Sequence, residues 1–333
     1  MVRTFFIAVL AVLLFTGCET KRQNFEPESI AGSVRYDGQL PTPIADVSRY
    51  GATLENGAII TLDGIETVRL PEGYAFLGKS EDKFLATTPC GRLLVLDAKG
   101  EKVFEHTFSH TVASAAVSGG EVAVVDASNR LTLMEMGSGT VRYSHKQDDV
   151  YAIDSRIAAP YFLSSLVLFP TLDGKVVILD RTSATVIRDV VVSSEHFFNN
   201  IIFLDVVAER MVVATAKRVI SINPNTTVFL DADIKDVIVL ENRVFVFTKD
   251  GRVLLADADL NVLKERKFPF AVFSGVIHGE FVYIVEKGGY LIATDLDLVT
   301  TNIYKLPSKI DTMIFATKNT LFVENRSFTL ARP

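Results

Sequence analysis

Five histidines and two cysteines are the side chains best suited to metal or nucleophilic chemistry, and neither set is arranged for it. His106 and His110 stand four apart, a spacing that lets two imidazoles share a metal on a helix. Here they flank a connection between strand-like runs, and Glu105 is the one ligand type beside them. Cys90 has no partner in a ligand pattern and reads as a semi-buried structural thiol. No Gly-rich phosphate loop, nucleophile elbow or nucleophile–base signature is visible. Asp63, Asp97, Asp180, Asp257 and Asp295 recur at the ends of apolar runs. Recurrence points to turns, because an Asp carboxylate bonds nearby backbone N–H groups. The sequence therefore predicts no catalytic residue and no metal site.

The elements that carry these residues are repeated. A β-branched or aliphatic phrase appears eight times: AIITLD, RLLVLD, RLTLME, KVVILD, RVISIN, RVLLAD, YLIATD and SFTLAR. The copies end at 63, 97, 135, 180, 223, 257, 295 and 332, so the steps between them range from 34 to 45 residues. A period near 40 built of strand-type residues is the signature of a β-propeller. A second apolar strand precedes most copies across a tight turn, as at Asp173-Gly174, Asp250-Gly251 and Gly288-Gly289. Asp-Gly and Gly-Gly supply the positive φ that hairpins need. With a short strand before and after each hairpin, the expected fold is all-β: an eight-bladed propeller of four-stranded blades over residues 30–333. The last copy stops after its third strand. A strand from the N-terminal segment, Ile30 to Tyr36, is expected to supply the missing fourth and close the ring.

The N-terminus reads as an export signal. Arg3 precedes an apolar run from Phe5 to Phe15 that is too short to span a bilayer. The ending Phe15-Thr16-Gly17-Cys18 resembles the lipobox of bacterial lipoproteins. That resemblance implies a signal peptide over residues 1–17, lipidation at Cys18 and a lipidated tether over residues 18–29. Glu19 after the Cys implies sorting to the outer membrane, with the propeller in the periplasm. With Cys18 lipidated, Cys90 is left without a disulfide partner. The chain carries 34 basic and 40 acidic residues, a net charge of −6, without a basic stripe. Nucleic acid is excluded as a partner on that ground.

The repeats also resemble a known superfamily. LLVLDAKGEKVF (93–104) is similar to the PQQ-type propeller repeat through Leu96, Asp97, Ala98, Gly100 and Phe104. LTLMEMGSGTVRY (131–143) matches through Gly139 and Tyr143, and TLDGKVVILD (171–180) through its Asp-Gly turn and following strand. The chain has no Trp, so Phe104, Tyr143 or aliphatic residues replace the superfamily's blade-docking Trp. The quinone-binding enzymes of that superfamily hold PQQ between a Trp floor and a vicinal disulfide, with calcium beside it. Neither feature can be built here, which implies no cofactor and no enzyme. Lipobox, tether and eight repeats together resemble the BamB-like lipoproteins of outer-membrane β-barrel assembly. The resemblance implies a monomeric propeller acting as a protein-binding scaffold for envelope proteins. Two alternatives stay open: a scaffold for a motility or secretion machine, and a periplasmic enzyme or small-ligand sensor using the axial pocket.

The two longest steps, 45 and 43, are adjacent. They add residues around 154–162 and 193–200, before the second strands of two neighbouring blades. Tyr161, Phe162, Glu195, His196, Phe197 and Phe198 are therefore candidates for partner binding, because aromatic residues among polar ones often anchor interfaces. The competing reading is extra core packing beneath longer loops. Phe268-Pro269-Phe270 is a weaker candidate of the same kind.

Overall fold

The computed structural model describes residues 23–330. Every regular element among them is a β-strand, and the strands form eight sheets, each with a core of four antiparallel strands. The repeated phrase is the third strand of every blade, from Ala58–Thr61 in blade one to Arg326–Thr329 in blade eight. First strands line a central axis and fourth strands form the rim. Burial follows that layout. Glu121–Asp126, a second strand, is buried throughout, whereas the fourth strand Thr185–Val191 is exposed except at Val190. Strands buried on both faces carry unbroken apolar runs, which is why the phrase lacks alternation.

Neighbouring blades bury their faces against each other. Leu85, Leu93 and Val95 of blade two pack on Val112, Ala115, Val117 and Val124 of blade three. Phe104 closes that layer at 8% exposure, in the place expected of the docking aromatic. Tyr143 lies over Phe169 of the next blade with ring centroids 6.5 Å apart. The repeated Asp residues shape turns. Asp97 Oδ1 accepts the Lys99 and Glu101 N–H groups at 2.9 and 2.8 Å, and Asp257 Oδ1 does the same for Asp259 and Asn261.

The antiparallel order fixes two ring faces. One carries the turns between first and second strands and between third and fourth. The other carries the second-to-third turns and the connectors that run from each rim strand to the next inner strand. On this connector face the turn glycine lies under the connector backbone. Gly91 has φ +80, and a Cβ there would meet Phe108 O at 2.5 Å and His110 O at 2.6 Å. Only glycine satisfies both demands.

Ring closure is N-terminal, with the two strands assigned differently from expectation. The fourth strand of blade eight is Gly38–Gln39, antiparallel to Arg326–Thr329. The segment expected to close the ring instead places Gly32–Ser33 parallel to Thr301–Lys305, as a fifth strand on blade seven. The packed body also starts earlier than residue 30. Phe25 is 7% exposed, edge-on to Phe268 and Tyr290 with centroids 6.3 and 5.5 Å away. Cys90 is exposed at the tip of its turn, not semi-buried, because the turn leaves the blade before its apolar layer begins. Cys18 and the signal segment lie outside the described residues.

Candidate functional site

The two insertions are connectors into first strands rather than loops before second strands. Residues 147–160 join blades three and four, and residues 192–202 join blades four and five. They are stitched together. Phe198 N–H donates to Ala152 O at 2.9 Å and Ala158 N–H to Ile201 O at 3.0 Å. Asn200, fully buried, accepts the Asp154 N–H at 2.6 Å and donates to Arg156 O at 2.8 Å. Asn199 donates to Asp173 O and Ser193 O at 2.8 and 2.9 Å. Asp154 and Arg156 form a two-point ion pair at 3.0 and 2.8 Å. Burial alone would raise the Asp154 pKa, but Arg156 outweighs it and holds the carboxyl below its usual range. Two long loops are thus held as one rigid surface.

Aromatic rings stand on that surface. Phe197 and Phe198 are 60% and 52% exposed. Phe197 lies beside Tyr151, itself 81% exposed, with centroids 6.4 Å apart. Phe198 has φ +54, a left-handed backbone that a bulky side chain adopts at a cost. Glu195 and His196 are exposed next to them. Tyr161 and Phe162 are not part of this surface. They form the short first strand of blade four, paired with Leu168 and Val167. Phe162 lies half-buried under the Arg181 guanidinium, 4.9 Å from its ring centre. Tyr151 carries no signal in the sequence, because it precedes the insertion in a run of aspartates.

The axis holds a second cluster. The tip of the first hairpin, Arg49-Tyr50, crosses the channel. Arg49 pairs with Asp236 of blade six at 3.0 Å and lies 5.1 Å from the Phe203 ring centre in blade five. Burial opposes its charge, yet Asp236 overcomes this and keeps the guanidinium protonated. The Tyr50 hydroxyl accepts the Ala159 N–H of blade four at 2.8 Å, and burial pushes its phenol pKa up. Arg49 and Tyr50 line two cavities at once, one of about 730 Å³ and one of about 320 Å³. The first takes in Lys79–Glu81 and Thr317–Lys318 near the turn face, and the second Thr88–Pro89 and Ser155 near the connector face. The axial charge comes from Arg49 of blade one, Asp236 of blade six and Arg156 in the connector into blade four. Among the described residues, no group of three His, Cys, Asp or Glu side chains could hold a metal ion. His106 is instead sandwiched between Phe104 and Phe108.

Arg49→Met is expected to lower folding stability by about 2–3 kcal/mol in denaturant unfolding. Stranding one charge of a buried pair costs about 3–5 kcal/mol, discounted here because Arg49 and Asp236 keep 15% and 20% exposure. Adding Asp236→Leu should recover most of the loss. A double variant as unstable as the single would contradict the pairing.

These features define a class: an eight-bladed propeller with a blocked axis and a rigid aromatic patch on its connector face. The family model described as outer membrane protein assembly factor BamB matches residues 67–298, and the chain belongs to that family. Plasminogen-binding protein PgbB from two strains of Helicobacter pylori is 29% identical, over 97% of this chain and 70% of the relative. The crystal structure of BamB from Moraxella catarrhalis superposes with TM-score 0.66 at 17% identity, covering 91% of this chain and 99% of that one. The C-terminal WD40 domain of Sif2 gives 0.67 at 13% identity, over 91% and 100%. The latter two show the shared ring.

Proposed function

We propose that this chain is a non-catalytic, lipid-anchored scaffold of the bacterial envelope, holding protein partners on its connector face. The observation that carries the reading is the Tyr151–Phe197–Phe198 patch. It is exposed, aromatic and rigidified by buried Asn199 and Asn200. Such a surface loses little conformational entropy on binding. Membership of the BamB family supports outer-membrane β-barrel assembly as the setting. The Phe15-Thr16-Gly17-Cys18 ending supports the anchor, on the outer membrane with the ring in the periplasm. Arg49 pairs with Asp236 and Arg156 with Asp154, which favours a structural plug over a catalytic centre.

The relatives named for plasminogen binding favour a second reading, capture of plasminogen itself, because they align with 97% of this chain. One experiment separates the two. The tagged chain is purified from its native membranes in mild detergent, and its companions are identified by mass spectrometry. In parallel, binding to immobilised plasminogen is measured. The proposal expects near-stoichiometric β-barrel assembly proteins and weak plasminogen binding. Tight plasminogen binding with no envelope companion would replace it. Mass spectrometry of the mature N-terminus tests the anchor: an unmodified Cys18, or cleavage elsewhere, would contradict it.

A further inference from the structure

A second exposed patch lies on the same face, two connectors further round the ring. Phe270 and Val272, in the connector from blade six to blade seven, are 54% and 52% exposed. Like Phe198, Phe270 holds a positive φ, +65, so strain again accompanies an exposed ring. The backbone ties this connector to its neighbours. Lys287 N–H donates to Val272 O at 2.9 Å, and Ile310 N–H to Lys287 O at 3.0 Å. The buried Glu286 carboxylate accepts N–H bonds from Val272 and Gly288 at 3.3 and 2.7 Å. Exposed lysines stand on the strand ends, turns and connectors beside the apolar pair: Lys267, Lys287 and Lys309. The exposed carboxylates nearby are Asp311, Glu26 and Glu28 beside Phe25, and Asp250, which pairs with Arg252.

The N-terminal segment arrives at this same place. Phe25 docks on Phe268, two residues before Phe270, and on Tyr290, just past the Gly288-Gly289 turn. Cys18 precedes Phe25 by seven residues in the sequence. Seven residues reach at most about 25 Å fully extended. A lipid on Cys18 would therefore hold this side of the ring within a short reach of the bilayer, at high effective concentration. Apolar rings flanked by lysines are the side chains that settle in an anionic headgroup layer.

We propose that the connector face over blades six to eight rests on the phospholipid surface that carries the Cys18 lipid. Phe270 and Val272 enter the headgroup layer, and Lys267, Lys287 and Lys309 meet anionic headgroups. This rests on the lipid-anchor reading above. It also deepens the scaffold reading, because it tilts the ring and presents Phe197 and Phe198 to partners that are themselves close to the membrane.

The chain has no Trp, so Phe270→Trp creates a single reporter. The lipoprotein carrying this substitution is reconstituted into vesicles of phosphatidylethanolamine and phosphatidylglycerol (7:3), with and without brominated acyl chains. The expected result is flotation with the vesicles, a blue-shifted emission and at least twofold quenching by the bromines. Quenching should drop to near background when Lys287→Glu and Lys309→Glu are added, and should be weak for Phe229→Trp on the rim. Flotation with solvent-like, unquenched emission overturns the membrane seat while leaving the anchor intact, and marks the patch as one for protein or for a second copy. Failure to float overturns the anchor, and the membrane seat with it.

Discussion

Removing residues 23–40 is expected to abolish cooperative folding of the ring. That stretch supplies the fourth strand of blade eight, the fifth strand of blade seven, and two buried anchors, Phe25 at 7% and Leu40 at 3% exposure. Losing each anchor side chain costs about 2–5 kcal/mol. Backbone N–H and C=O groups along two blade edges lose their partners as well, for example where Leu40 N–H donates to Asn325 O at 2.8 Å. The total approaches the whole stability of an ordinary domain, about 5–15 kcal/mol. The bared edges would also invite pairing between molecules. Thermal unfolding of the truncated chain should show no sharp transition, and size-exclusion chromatography should show oligomers. Point variants grade the effect: Phe25→Ala and Leu40→Ala should each lower stability by about 2–5 kcal/mol. A truncated monomer that melts like the full chain would rule out N-terminal closure.

Phe198→Gly is expected to separate folding from binding. At φ +54, Phe198 pays about 1 kcal/mol of backbone strain that glycine does not. The greater freedom of glycine in the unfolded chain offsets part of this gain. Folding stability should therefore be unchanged or raised by up to about 1 kcal/mol. Partner capture should fall by about 2 kcal/mol or more, roughly thirtyfold in Kd, if Phe198 is a true anchor. A lowered melting temperature would mean that the ring packs into the fold. Unchanged capture would remove Phe198 from the interface.

Much of the architecture is legible in the chain because it is repeated. Eight copies of one phrase became eight third strands, and the Asp-Gly and Gly-Gly steps became the turns between second and third strands. Repetition also let Asp97 and Asp257 be read as turn formers. What occurs once was harder to place. The Arg49 and Tyr50 partners lie 187 and 109 residues away, a distance that no local pattern encodes. Phe25 is a lone aromatic in a polar stretch, and its docking depends on Phe268 and Tyr290 being brought together by the finished ring. The closing strands are two residues each, too short for the hydrophobic pattern to fix their register. The sequence places Tyr161 and Phe162 in the loop for the same reason, since a two-residue strand hardly differs from a connector. Glu195, His196, Phe197 and Phe198 stand out in the sequence because insertions interrupt the repeat, and an interruption is visible wherever the period is.

The scaffold reading is tested most directly by a photo-crosslinking residue at position 197, introduced in the native cell. Position 229 serves as the control. Phe229 is equally exposed, at 60%, but sits on a rim strand away from the connector face. Irradiation should give discrete adducts with envelope proteins from position 197 and none from position 229. Adducts from 229 alone, equal adducts from both, or none from 197 would contradict a partner-binding connector face.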